Sequence, residues 1–149
     1  WGITIPDLPS GATAADIEAL TQDQAKAIYL AKYWNHLRGD EIPQQQVADI
    51  YFDIAVAMGL EGSTDIMRRA LGLRPRDNLW GRLDDETLNA IKSKGLNGMM
   101  QLAFDFLGAC DAARIERVHA SPPLVKFLPG WLRRNNHDRA HAFGLYMPW

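Results

Sequence analysis

A single cysteine, Cys110, stands in 149 residues. No disulfide can close within the chain, and its core must hold without one. No apolar run approaches the roughly 20 residues that cross a bilayer, so no membrane span is expected. Charge of either sign is also scarce in net terms: the formal balance is -2. A nucleic-acid surface needs a net basic domain with aromatic residues among its cations, and this composition argues against one. The chain has no phosphate-cradling glycine loop, and no nucleophile triad can be assembled from residue order. Nothing calls for a cofactor.

What is present is ordinary globular composition, 47% hydrophobic and 23% charged. A chain of this length forms one domain that buries about 70% of the surface its unfolded form exposes. The charge is uneven. Residues 1–62 carry three basic and nine acidic side chains, and residues 112–149 carry six basic and two acidic. The two ends are expected to pack against each other.

Pro6, Pro9 and Gly11 interrupt residues 2–15, which read as an extended loop. Thr21, with Gln24 three residues on, has capping-box spacing and opens a helix that ends near Gly39. A second helix follows Pro43, with Val47, Ile50, Tyr51, Ile54 and Met58 on one stripe and Phe52 and Val56 on another side. Such a helix is apolar most of the way round and should be central. Ser63 or Thr64 caps a third, stopped at Gly72. The stretch 74–81 reads as an irregular connection, with Asn78 suited to a left-handed turn and Trp80 exposed. Asp84 caps a fourth helix, a long fifth runs over about 97–119, and a sixth, after Pro122 and Pro123, holds Trp131. Hairpin signals are lacking. The expected fold is all-α, about six helices behind a long N-terminal loop.

Asp53 is the only ionisable side chain between Tyr51 and Leu60. A carboxylate in a buried helix must be paired, hydrogen-bonded or protonated. Two readings follow. Asp53 either accepts from backbone amides or an arginine and fixes the structure, or stands in a cleft and orients substrate. The aromatic side chains Tyr33, Trp34 and Trp131 suit sugar stacking and core packing alike. His137 and His141 stand at i and i+4, a zinc-compatible spacing that lacks the glutamate of a His-Glu-x-x-His motif and a clear third ligand. They read as solvated histidines, with no metal site.

A series of short segments runs in order along the chain: Gly2-Ile3-Thr4; Leu20-Thr21 with Ala25 to Tyr29; Tyr33-Trp34; Arg38-Gly39-Asp40-Glu41-Ile42-Pro43; Phe52 to Val56 with Gly59; and Ala70 to Leu73. Gly81, Thr87-Leu88, Ala90-Ile91, Arg114, Gly130-Trp131 and Arg134 continue it. The series resembles the glycoside hydrolase family 108 N-acetylmuramidases together with their predicted peptidoglycan-binding region. The resemblance implies a lysozyme-like domain over 1–149, with 1–73 as the later part of the muramidase region and 74–149 as the peptidoglycan-binding region. It implies hydrolysis of the β-1,4 bond between N-acetylmuramic acid and N-acetylglucosamine, with peptidoglycan as partner and the bacterial cell wall or periplasm as the place of action.

The presumed general acid of that family is a glutamate in a Glu-Gly-Gly-Tyr motif, which this chain lacks. The catalytic residue is therefore unassigned here and expected upstream of Trp1. Glu61-Gly62-Ser63 is the nearest echo and reads as a turn between helices. As substrate-binding candidates, Thr4, Tyr33, Trp34 and Asp53 are expected near the cleft, and Trp131 and Arg134 on a peptidoglycan-facing surface or in packing. Ala57 stands where the family often has Asn, Arg68 where it often has Gln, and Asp77-Asn78 and Gly81-Arg82 depart from its Asp-Gly and Gly-Pro turns. A non-catalytic module that binds peptidoglycan or a protein is the alternative function.

Overall fold

The computed structural model describes residues 2–76 and 81–142. The Asn78 and Trp80 expectations lie outside them. The described residues contain no strand and seven α-helices: α1 (Ala14–Glu18), α2 (Gln22–Tyr29), α3 (Gln45–Met58), α4 (Leu60–Ala70), α5 (Asp85–Lys92), α6 (Gly95–Ala120) and α7 (Leu128–Ala142). The all-α expectation holds. The helix beyond the expected six is α1, inside the stretch read as loop, and a 3-10 turn at Ile5–Asp7 precedes it. Both begin at a threonine, Thr4 or Thr13, whose amide and hydroxyl donate to an aspartate three residues on.

The stripe read from the second helix becomes the centre of α3, where Val47, Ile50, Tyr51 and Ile54 are buried with Ala48 and Ala55. Against it pack Ile66 and Met67 of α4, Leu88 and Ile91 of α5, and Met99, Leu102, Phe106 and Leu107 of α6 in one continuous core. Tyr51 meets Phe106 edge-on at 5.5 Å. Its hydroxyl donates to Thr64 Oγ1 at 2.9 Å, and Thr64 donates in turn to the Gly81 carbonyl at 3.1 Å.

That chain corrects one sequence reading. Ser63 and Thr64 do not cap α4 but lie inside it, both buried. The helix begins at Leu60 because Gly59 takes φ +88°, where side-chain-bearing residues are strained, and breaks the chain there from α3. Glu61 and Gly62 accordingly form its first turn rather than a connecting loop. Thr21 and Asp84 are N-caps as read, accepting from the amides of Gln24 and Thr87.

The expected attraction between the ends takes the form of α7 lying across α3 and α6. A polar seam joins α7 to α6. Arg114, only 4% exposed, donates to the Trp131 carbonyl at 2.9 Å and to Asn135. Asn135 donates to Asp111 at 2.6 Å, and Arg139 pairs with Asp111 as well. Burial lowers the Arg114 pKa, and the nearby Cys110 and Asp111 only partly offset it.

Candidate functional site

The site begins where α2 changes pitch. After Tyr29 the chain widens into a π-helical turn, Leu30–Trp34, closed by the Asn35 amide on the Leu30 carbonyl at 3.0 Å. Such turns cluster at functional positions because they re-aim consecutive side chains. Here Tyr29, Tyr33 and Trp34 all turn toward Phe52 of α3. Ring centroids lie 6.1, 6.4 and 5.8 Å from Phe52, each in a steep or edge-on arrangement, and Tyr29 lies 5.9 Å from Tyr33. All four side chains are half-buried, so the cluster forms a wall rather than a closed core.

The loop that follows holds the wall in place. Arg38 adopts φ 51°, a left-handed conformation uncommon for a residue with a side chain. Its guanidinium donates to both oxygens of Glu41 at 2.6 and 2.8 Å and to Asp85 at 2.5 Å. These bonds raise the Arg38 pKa, Glu41 contributing most. The turn brings Gly39 against the face of Trp34, with no room for a Cβ, and the indole Nε1 donates to Asp40 at 2.9 Å. On the other side, Lys32 ties the π turn to the N-terminal segment through the Pro6 carbonyl and Asp7, each at 3.2 Å.

Asp53 follows Phe52 and stands beside this wall, its side chain 28% exposed. It is partnered as read but less buried than the stripe beneath it. Arg134 of α7 donates to both of its oxygens, Nε to Oδ2 at 2.6 Å and Nη2 to Oδ1. That bidentate pair raises the arginine's pKa against the cost of burial. The two residues are 81 apart in sequence. Behind them a recess of about 310 Å³ is lined by Asp49, Ile50, Phe52, Asp53, His137, Asp138 and His141.

The structure thus brings Tyr33, Trp34, Asp53 and Arg134 into one neighbourhood. Thr4 and Trp131 are engaged differently. The Thr4 hydroxyl donates to Asp7 Oδ2 at 2.7 Å. The Trp131 ring stacks on Phe127, centroids 6.0 Å apart, and its carbonyl serves Arg114. Sequence reading missed Tyr29, Lys32 and Asp138 as participants. Two consecutive aromatics at a helix end were visible, but the pitch change that joins Tyr29 to them leaves no local signal. Of the departures noted in sequence, Ala57 is exposed on α3. Arg68 is buried and faces α5, not the wall. Among the described residues no three histidine, cysteine or acidic side chains converge as a metal would need. His141 Nε2 lies 3.5 Å from Asp49, and Cys110 is fully buried.

The class these features define is an all-α protein that carries an aromatic wall beside a bidentate Asp–Arg pair. Residues 1–59, which hold the wall and Asp53, match the family model described as Glycosyl hydrolase 108. A structure titled "Structure of Brucella abortus SagA" shares the fold at a TM-score of 0.78 and 23% identity, the alignment covering 97% of this chain and 78% of that one. No curated protein matches the chain. No helix among the described residues is long and apolar enough to cross a membrane.

Proposed function

We propose that this chain is the substrate-gripping part of an N-acetylmuramidase of the bacterial cell-wall or phage endolysin type, acting at the cell wall or periplasm. The observation that carries the reading is the aromatic wall of Tyr29, Tyr33, Trp34 and Phe52 beside Asp53–Arg134. A glycan strand offers apolar sugar faces, which rings cover, and hydroxyls, which donate to a carboxylate held in place. Asp53 keeps Arg134 oriented and offers acceptors to sugar hydroxyls.

Cleavage needs a carboxylic acid that protonates the glycosidic oxygen as the bond breaks. Asp53 is committed to Arg134 and does not suit that role. We assign the acid to a glutamate in a Glu-Gly-Gly-Tyr-like segment ahead of Gly2-Ile3-Thr4, as the family resemblance implies. Residues 1–73 then belong to the muramidase region and 74–149 to a peptidoglycan-binding region, with Arg134 of the second serving the groove of the first.

The test compares the 149-residue chain with a form extended through that segment, in a turbidity assay on purified cell walls with reducing-end analysis. The extended form should release muramic-acid reducing ends. The shorter chain should bind without appreciable cleavage, since general acid catalysis contributes about 10² to 10⁴-fold. Cleavage by the shorter chain would show that the acid is misplaced. Binding without cleavage by both would favour the non-catalytic module.

A further inference from the structure

One buried group in the recess has no role in the reading above. Asp138 of α7 is 6% exposed. Its Oδ2 is shielded from solvent and has no hydrogen-bond donor among the described residues. It stands one turn beyond Arg134, so the two side chains share the face of α7 that meets α3, and both lie against Asp53. Arg134 has directed its fork at Asp53. An ionised Asp138 would be a second carboxylate in the same place, buried beside a guanidinium already directed at Asp53.

We propose that Asp138 is a positioning residue: it holds a proton, donates it in a hydrogen bond to Asp53, and with Arg134 fixes the Asp53 carboxylate beside the aromatic wall. One carboxyl then donates where two carboxylates would repel, the arrangement of paired acids that share a proton. The surroundings agree. Burial and the Asp53 charge push the Asp138 pKa up to about 7, and Arg134 and Arg114 only partly oppose them. The groups facing Asp138 are Asp49 and Asp53 from α3, Cys110 and Arg114 from α6, and Arg134, His137 and His141 from its own helix. His137 Nδ1 is 4.0 Å from Asp138 Oδ1, so its titration must be separated from that of the acid. As Asp138 ionises, the bond to Asp53 is lost and the Asp53–Arg134 pair loosens. That the glycan senses this rests on the peptidoglycan reading.

The experiment is a carboxyl-carbon NMR titration of the 149-residue chain, in the parent and in His137→Gln, with the Arg134 Nε–H resonance followed in parallel. An aspartate should titrate near neutrality in both, vanish from the Asp138→Asn spectrum, and fall by roughly one unit or more in Asp53→Asn, where the neighbouring charge is gone. Arg134 Nε–H should move with the same midpoint in the parent and be insensitive in Asp138→Asn, whose amide keeps a donor at every pH. An Asp138 that titrates in the ordinary carboxylate range, or an Arg134 signal that ignores it, overturns the proposal.

Co-sedimentation with purified sacculi supplies the functional arm. Binding should weaken several-fold from about pH 5 to about pH 8.5 in the parent and stay level in Asp138→Asn. Failure of the parent to bind at any pH would sink the peptidoglycan reading, and the NMR arm still decides the shared proton.

Discussion

Removal of Arg68 should unfasten α5 from α4. The side chain is 2% exposed and spends every donor group: Nε on the Arg74 carbonyl at 2.8 Å, Nη1 on Asp84 at 3.0 Å and Thr87 Oγ1 at 2.6 Å, Nη2 on Glu86 at 2.8 Å. Glu86 is 54% exposed and returns to water, so its pair contributes about 0–1 kcal/mol. Asp84 and Thr87 are shielded, and breaking such a pair from one side costs about 3–5 kcal/mol. Arg68→Ala should therefore lower the unfolding free energy by about that amount, and Tm by about 6–20 °C for a chain of this size. Urea unfolding followed by circular dichroism reads it. The pH dependence sharpens the test. Burial raises the Asp84 pKa, but the Thr87 amide and hydroxyl and the Arg68 guanidinium outweigh it, so the folded value is lowered. Stabilisation of that sign is present above the unfolded value and lost as pH falls through the folded one. The gap between parent and variant should thus narrow below about pH 4. Equal urea midpoints at neutral pH would refute the assignment of Arg68 as the α4–α5 fastening.

Gly39→Ala should cost about 1–3 kcal/mol, because the new Cβ overlaps the Trp34 indole and must displace it from Asp40; an unchanged Tm and tryptophan emission maximum would contradict the packing described. The Cys110 thiol, pushed up to about 12 chiefly by burial, should react with a thiol reagent only at the rate of opening or unfolding; rapid labelling of the native chain would show that α6 is not closed there.

The parts of the fold legible in sequence were those governed by residues three or four apart. The α3 stripe, the Thr21 and Asp84 caps and the stop after α4 near Gly72 all depend on such spacings. A local signal was also overlooked. Thr4 with Asp7 and Thr13 with Asp16 are two capping boxes, and the prolines around them drew the reading toward loop. Ser63 and Thr64 misled for the opposite reason: they have the chemistry of caps, but partners distant in sequence, Tyr51 and Gly81, use Thr64 inside the helix. The candidate site was half legible. Tyr33, Trp34, Asp53 and Arg134 could be named singly, but the Asp53–Arg134 bond depends on how α7 returns across α3, which no spacing encodes.

That return makes the groove hostage to a seam that never touches it. Arg134 stands on α7, and α7 is held to α6 by Arg114, Asn135, Asp111 and Arg139 on its neighbouring face. Asn135 follows Arg134 directly and is fully buried, accepting from Arg114 while it donates to Asp111. Its side chain fixes the rotation of α7 about its own axis. A turn of the helix that spared Asn135 could not redirect Arg134, and one that redirected Arg134 would strand buried donors and acceptors at about 1–3 kcal/mol each. The guanidinium therefore reaches Asp53 already aimed. In the reading proposed here, a sugar hydroxyl meets an Asp53 carboxylate already held in place and does not bear the entropy of ordering it.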